Sequence, residues 1–372
     1  MRVLLGLLAA IAVIAGAAFG VGYFLLPNTL DVSRSLLIER PRATVYAQIG
    51  DLRQVKEWSP YFALDPEAQW TFEGEAGPGQ IMRWSSDVAR VGAGDMRIVA
   101  ARPNETVDLL IRAGEGESFD SQIVVRPAQR GANVTWLVRA QCAPGAMMVP
   151  CRYANLMLQR SIGEDLQTGL TRLKAMTEDL SDVDFEGLQP DFVTLPGQPF
   201  LYVEATIVKD QPTAEDMQEA DAGSVAQLRA FLRDAQPALS TSGPLHRLIA
   251  VWEPQNARYV FRLGYPFAGP APLTLVGVQV GRTPSGRHMR VLHVGMRADL
   301  RATYARAYAY MEAHHIAARG DGLPWEVVLQ SDAPTPPAAT STPLRADQLP
   351  DAPPAPPPGS GPVRIEVYFP IE

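Results

Sequence analysis

Between Val3 and Leu26 the chain reads VLLGLLAAIAVIAGAAFGVGYFLL, with no charged side chain anywhere in the run. At about 1.5 Å per helical residue the stretch is about 36 Å long, against a hydrocarbon core of about 30 Å. A helix on the surface of a globular domain keeps a polar face, and this one has none. A cleaved leader is the competing reading, with Ala15-Gly16-Ala17 as a small-residue processing site. The apolar run continues past it through Phe24-Leu25-Leu26, which a short leader core does not need. Residues 1–29 are therefore read as an uncleaved membrane anchor, and residues 30–372 as a body tethered to a membrane.

That body is long enough for two domains. Its net charge of −7 and isoelectric point near 5.4 argue against a nucleic-acid partner, which calls for a basic face. Orientation rests on two opposed signals. Arg2 precedes the anchor while Arg34, Arg40 and Arg42 lie beyond it, which favours a cytoplasmic body. Cys142 and Cys151 are the only cysteines. They can close a disulfide in an oxidising compartment, or be two buried thiols. The balance favours a single-pass protein of the plasma or inner membrane with its body on the outer, periplasmic face.

From Leu30 to Glu39 the pattern is strand-like. Pro41 can open a helix, whose apolar face is Val45, Ile49, Leu52 and Val55, and Trp58-Ser59-Pro60 ends it. Short strands are expected at Gln69–Glu73, Ile81–Ser85, Asp95–Ala100, Thr106–Ile111, Gln122–Arg126 and Asn133–Gln141, separated by Gly, Pro and Asn turns. A long amphipathic helix over about Tyr153–Leu180 closes the unit, with Ile162, Leu166, Leu170 and Leu173 on one stripe. The expectation is a single antiparallel sheet with a helix laid on it.

The run LDVSRSLLIERPRATVYAQIGDLRQVKEWSPYFALDP resembles the opening of the SRPBCC (START/polyketide-cyclase-like) superfamily, and SIGEDLQTGLTRLKAMTEDL resembles its closing helix. The resemblance covers residues 30–180 and implies a helix-grip fold with an apolar cavity between sheet and helix. Members bind lipids, sterols or polyketides, and some catalyse cyclisation or dehydration. Trp58, Trp70, Phe72, Trp84, Phe119 and Trp136 would line such a cavity or simply fill the core; Trp84 is the candidate ligand contact. No histidine occurs before His246, so the commonest general base is missing here. This half is read as a binder or structural module.

Residues 181–197 are polar and turn-rich, a linker with room for a short strand. Phe200–Val208 then reads as a strand, Asp210–Gly223 as a polar loop, and Ser224 as the cap of a helix carrying Val225, Leu228, Phe231 and Leu232. Leu245–Trp252 and Arg258–Leu263 form a hairpin. The order recurs: strand at Arg287–Val294, helix from Asp299 to about Ala318, strands at Trp325–Gln330 and Val363–Pro370. Residue-level repetition is absent, so the duplication is one of element order.

The stretches VLHVGMRADLRATYARAYAYMEAHH, GDGLPWEVVLQSD and VRIEVYFPIE resemble the GyrI-like, or AraC-type effector-binding, domain over residues 198–372. The resemblance implies two pseudo-symmetric βαββ halves about a groove that takes small, often aromatic or cationic molecules. The family's central acidic residue falls on Glu326, beside Trp325, with Tyr368 on a neighbouring strand and Tyr304 on the second helix. A carboxylate flanked by rings would suit a cation; a solvated or arginine-paired Glu326 is the alternative. His293 is expected to be a structural strand-end residue. Two departures stand out. Residues 333–362 are a Pro-rich insertion unable to form a core, and the helix-turn-helix that accompanies this domain in AraC-type regulators is missing.

The fold class expected is thus α+β: a helix-grip antiparallel sheet domain, a second α+β domain of two βαββ halves, and one transmembrane helix. No nucleophile elbow, phosphate loop or dinucleotide fingerprint is present. His314 and His315 point about 100° apart, and His288 and His293 lie on opposite strand faces, so neither a metal site nor a cofactor is expected. The leading function is a membrane-tethered binder of small hydrophobic, aromatic or cationic molecules. The alternatives are a hydrolase or cyclase-type enzyme with Glu326 as base, and a protein-interaction module at the membrane.

Overall fold

The computed structural model describes residues 2–114, 117–143, 145, 148–210, 213–234, 240–272, 276–320, 322–331 and 362–372. The chain divides into two units, residues 1–186 with 312–314 and residues 187–311 with 315–372.

The first unit opens with helix α1 (Arg2–Phe24). Its Gly6–Phe24 portion has a mean hydropathy of 2.2 and is long and apolar enough to cross a membrane. Strand β1 (Thr29–Ile38) comes next, then α2 (Arg42–Ile49), α3 (Leu52–Trp58) and α4 (Pro60–Leu64). The single helix expected after Pro41 is broken into α2 and α3. Gly50 caps the first, and the Asp51 side chain accepts from the Arg53 amide to start the second. Ser59 caps α4 in the same way, accepting from the Tyr61 amide with Pro60 in the first turn.

Strands β2 (Gln69–Glu73), β3 (Ile81–Ser85), β4 (Ala93–Arg102), β5 (Thr106–Ala113), β6 (Glu117–Pro127) and β7 (Ala132–Gln141) complete a seven-stranded antiparallel sheet, ordered β1-β7-β6-β5-β4-β3-β2. Helix α5 (Val149–Glu178) lies across it. Its Leu166, Leu170 and Leu173 are buried with Ile38, Ile98, Ile123 and Val134. Each such side chain contributes about 1.5–3 kcal/mol on burial. Gly169 is a point of close approach between sheet and helix, for a Cβ there would lie 2.6 Å from the Trp136 ring. Cys142, just after β7, and Cys151, in the first turn of α5, form a disulfide.

The second unit begins with β8 (Asp191–Leu195), inside the stretch expected as linker, and continues into β9 (Pro199–Val208). Helix α6 (Ala214–Asp234) starts ten residues before the expected cap. The true start signal is Thr213-x-x-Asp216. The Asp216 carboxylate accepts from the Thr213 amide at 2.6 Å, and Thr213 Oγ1 accepts from the Asp216 amide at 3.3 Å, a capping box. Ser224 sits inside the helix, its hydroxyl donating to the Ala220 carbonyl.

Strands β10 (Ser240–Thr241), β11 (Leu245–Glu253), β12 (Arg258–Ala268), β13 (Gln279–Arg282) and β14 (Gly286–Gly295) come next, then α7 (Leu300–Ala313), β15 (Trp325–Ser331) and β16 (Val363–Pro370). Along the sheet the order is β13-β9-β12-β11-β15-β16-β14-β8, with β10 paired to β12. Chain connections link the two ends: β8 runs into β9, and β13 into β14. The links are fastened to each other by the Gln198 amide on Thr283 Oγ1 and the Thr283 amide on the Gln198 carbonyl, both at 2.9 Å. The sheet therefore curls and has an inner face, where Phe200, Tyr202, Leu248, Trp325 and Tyr368 are buried together. On its other face α6 contributes Leu228 against Leu201 and Val203, and α7 contributes Leu300, Ala307 and Met311 against Ile365 and Val367. The Pro-rich insertion lies outside the described residues, apart from Pro362.

Candidate functional site

Adjacent residues of a strand face opposite ways, and this decides the arrangement around β15. Trp325 points to the inner face of the curled sheet, and Glu326 to the face carrying the helices. The four second-unit candidates therefore separate into two pairs rather than lining one groove.

On the helix face Glu326 is only 4% exposed. Its Oε1 accepts from the Tyr304 hydroxyl at 3.1 Å. Arg247, its register partner on β11, is equally buried and donates to the Asp221 carboxylate on α6. Arg297, in the turn before α7, places Nη2 3.0 Å from Asp221 Oδ2 and 3.6 Å from Glu326 Oε2. Two guanidiniums thus face two carboxylates, a cluster with no net charge. Arg247 also lies over the Phe261 ring. Burial works against the Arg247 charge, but Glu326 and Asp221 outweigh it and raise its pKa. Burial and the neighbouring Arg247 lower that of Arg297. Burial, reinforced by Glu326, holds the Tyr304 hydroxyl well above its ordinary range, so it stays a proton donor.

Three atoms of this cluster are buried without a hydrogen-bond partner among the described residues: Glu326 Oε2, Arg247 Nε and Arg297 Nη2. The last is close to both carboxylates but lacks the alignment of a hydrogen bond with either. Each such group costs about 1–3 kcal/mol when nothing satisfies it. Glu326 Oε2 and Arg297 Nη2 face each other at 3.6 Å as an ion pair, and Arg247 Nε belongs to the register partner of Glu326.

On the inner face Trp325 stacks on Tyr368 at 4.3 Å between ring centroids and on His246 at 5.3 Å. His288 meets Trp325 edge-on. The Tyr368 hydroxyl donates to Glu366, not Glu326, and Arg290 bridges Glu366 to Asp191. Burial lowers the pKa of both His246 and His288, so these rings are neutral at pH 7. Trp325 and Tyr368 are buried here as packed interior. His293 pins the end of β14: its Nε2 faces the Met296 carbonyl at 3.1 Å and its Nδ1 the Thr303 hydroxyl at 2.8 Å.

In the first unit Trp58 and Trp136 belong to the core, edge to face at 5.2 Å, with their indole N–H groups on the Gln48 carbonyl and Ser121 Oγ. Trp84 differs. It is half-buried, 6.1 Å from Trp70, which in turn meets Phe62 at 6.2 Å. Trp84 donates to the Val91 carbonyl, while the Trp70 indole nitrogen is buried without a partner among the described residues. Beside them Asp165 on α5 accepts from the Tyr61 hydroxyl and from Arg90.

Residues 29–178 match the family described as polyketide cyclase / dehydrase and lipid transport. They form a polyketide-cyclase-like domain. The curled sheet gripping α5 is the fold that the sequence resemblance implied. Similar solved structures include a Chromobacterium violaceum protein, 18% identical, covering 41% of this chain and 99% of its own, with a TM-score of 0.27. A point mutant of Thalictrum flavum norcoclaurine synthase is 10% identical over 41% of this chain and 95% of its own, with a TM-score of 0.32. The C-terminal domain of EcmrR is 12% identical over 50% of this chain and 98% of its own, with a TM-score of 0.36. No curated protein matches the chain significantly.

Arg247, Arg297 and Asp221 are functional candidates that the sequence pattern does not single out. One signal exists for Arg247: it stands in LHRLIAVW, an apolar strand where an inward charge demands a partner. Asp221 is hidden because the polar composition of its stretch reads as a loop rather than a helix.

Proposed function

We propose that the protein is a membrane-tethered binder of small organic molecules, with a ligand site in the second unit at Glu326, Arg247 and Arg297. The observation that carries this reading is a buried cluster in which Glu326 Oε2, Arg247 Nε and Arg297 Nη2 make no hydrogen bond among the described residues, Arg297 facing the two carboxylates as an ion pair only. A ligand offering a donor to Glu326 Oε2 and an acceptor to the two guanidiniums satisfies all three. Because the cluster is already neutral, the ligand class narrows from the hydrophobic, aromatic or cationic molecules expected from sequence to an uncharged molecule with a donor–acceptor group, such as a primary amide or an undissociated acid.

Three further readings complete the proposal. Residues 198–372 form a GyrI-like domain; the order β9-β12-β11-β15-β16-β14 reads as one strand–helix–strand–strand half beside its mirror image, which supports it. The cyclase-like domain offers a second, apolar site beside Trp84 and Trp70, as suits a fold that commonly takes hydrophobic ligands. The disulfide supports a body on the oxidising, periplasmic side of the membrane that α1 spans.

The test is native mass spectrometry of the full chain in nanodiscs, comparing wild type, Glu326→Gln and Trp84→Ala. A small-molecule adduct lost in Glu326→Gln and kept in Trp84→Ala is expected. The reverse pattern moves the site to the cyclase-like domain, and a bare protein in all three contradicts the reading.

A second reading rests on the Tyr304–Glu326 hydrogen bond. A carboxylate base beside a tyrosine donor is the pair that hydrolysis of a small reactive substrate needs, with Glu326 activating water and Tyr304 orienting the substrate. Turnover abolished in Glu326→Gln with binding retained would favour it.

A further inference from the structure

The first two turns of α5 are fastened to the end of α1. Arg152 Nη1 donates to the carbonyls of Tyr23 at 2.6 Å, Leu26 at 3.1 Å and Gly22 at 3.3 Å. The Gly22 and Tyr23 carbonyls are ones that a helix end leaves unsatisfied, at the negative end of its dipole, and Leu26 lies just past that end. The Tyr153 hydroxyl reaches further back, to the Ala18 carbonyl at 2.7 Å. Gly22 permits the approach, since a Cβ there would lie 2.5 Å from Val149 and 2.6 Å from Tyr153; small residues serve helix pairs within membranes in the same way. From the other side the Cys142–Cys151 disulfide ties this turn of α5 to the end of β7.

Depth follows from these contacts. The uncharged run extends to Leu26 and the helix to Phe24, so α1 leaves the apolar layer near Phe24. Ala18 lies six residues before Phe24, about 9 Å along the helix axis. A side chain bonded to Ala18 is therefore below the level at which α1 leaves the membrane. The chemistry of α5 matches that depth. Leu156 is 56% and Met157 79% exposed, the large apolar side chains that α5 leaves outside. Phe19, Val149, Pro150, Tyr153, Ala154 and Met157 line an apolar cleft of about 730 Å³ between the two helices. Tyr23, Tyr153 and Arg152 sit where aromatic and basic side chains mark a membrane–water boundary.

We propose that the start of α5, residues 149–157, is seated in the boundary layer of the lipid bilayer, with acyl chains filling the cleft against α1. The cyclase-like domain is then fixed at the lipid surface rather than hung from a flexible tether. This rests on the reading of α1 as a membrane span.

The test uses the full chain in phosphatidylcholine–phosphatidylglycerol nanodiscs. Both native cysteines are in the disulfide, so a nitroxide can be placed singly at Met157→Cys, at Phe24→Cys and at Val99→Cys. Val99, on β4, is 57% exposed and serves as the aqueous reference. The readout is collision with oxygen, which partitions into lipid, relative to a water-soluble nickel chelate. The proposal expects Met157 to resemble Phe24, with a ratio several-fold above that of Val99. A lipid-like Phe24 with a water-like Met157 overturns the seating and leaves the anchor standing. A water-like Phe24 overturns the anchor and the seating together.

Discussion

Tyr304 donates a 3.1 Å hydrogen bond to Glu326 Oε1 from a helix on the opposite side of the strand from Trp325. That single bond assigns Glu326 to a polar, charge-balanced cluster and leaves Trp325 to the packed interior. Removing the donor in Tyr304→Phe takes the hydrogen bond from Oε1, while Oε2 keeps its ion pair with Arg297. The expected loss is about 1–3 kcal/mol of stability, read as a lower denaturant midpoint with an unchanged m value.

Arg247 and Glu326 face each other in register and are both almost fully buried. Arg247→Met should cost about 3–5 kcal/mol, because it removes the donor to Asp221 and leaves Arg297 to face two buried carboxylates. Adding Glu326→Gln should recover part of that loss, giving a double-mutant coupling of at least about 0.5 kcal/mol. Strict additivity would mean that the two side chains do not interact.

The neutral, buried His246 and His288 make the second unit acid-sensitive. Burial depresses both folded pKa values, so below the ordinary value of about 6.5 the unfolded chain binds protons that the folded chain refuses. Stability from this source is full above that pH and falls as pH drops through it, by at most about 1.4 kcal/mol per pH unit for each histidine. Denaturant titrations from pH 7.5 to 5.5 should show the decline. His246→Gln should flatten it.

Gly169 should tolerate no side chain. A Cβ there meets Trp136 at 2.6 Å, and the indole is held by its bond to Ser121, so the ring cannot swing aside freely. Gly169→Ala is expected to cost about 1–3 kcal/mol by overpacking, with loss of near-UV signal from the Trp58–Trp136 pair. Wild-type stability in this variant would mean that α5 grips the sheet more loosely than described.

Much of the first unit is legible in the sequence because its cues are local. Short apolar strands are punctuated by turns such as Gly77-Pro78-Gly79, and the leucine stripe of α5 repeats at helical spacing. The break between α2 and α3 is marked only by Gly50-Asp51, a weak signal inside an otherwise continuous apolar face. In the second unit the strands of each hairpin are readable and β8 falls in the stretch given room for a short strand, while β13 is not readable, because short edge strands gain their stability from partners distant in sequence. The site is half legible. Glu326 and Tyr304 meet, as the enzymatic alternative requires. An arginine-paired Glu326 is the sequence-based alternative to the ligand role, and Arg297 pairs with it; which arginines gather there depends on β11–β15 register and on the true start of α6, neither of which local sequence specifies.

The most direct measurement is a crystal structure of the protein as purified, at a resolution that separates water from an organic molecule. The account predicts connected, non-water density within hydrogen-bonding distance of Glu326 Oε2, Arg247 Nε and Arg297 Nη2. A cluster closed on itself, with these three atoms bonded to one another or to ordered water alone, would contradict it.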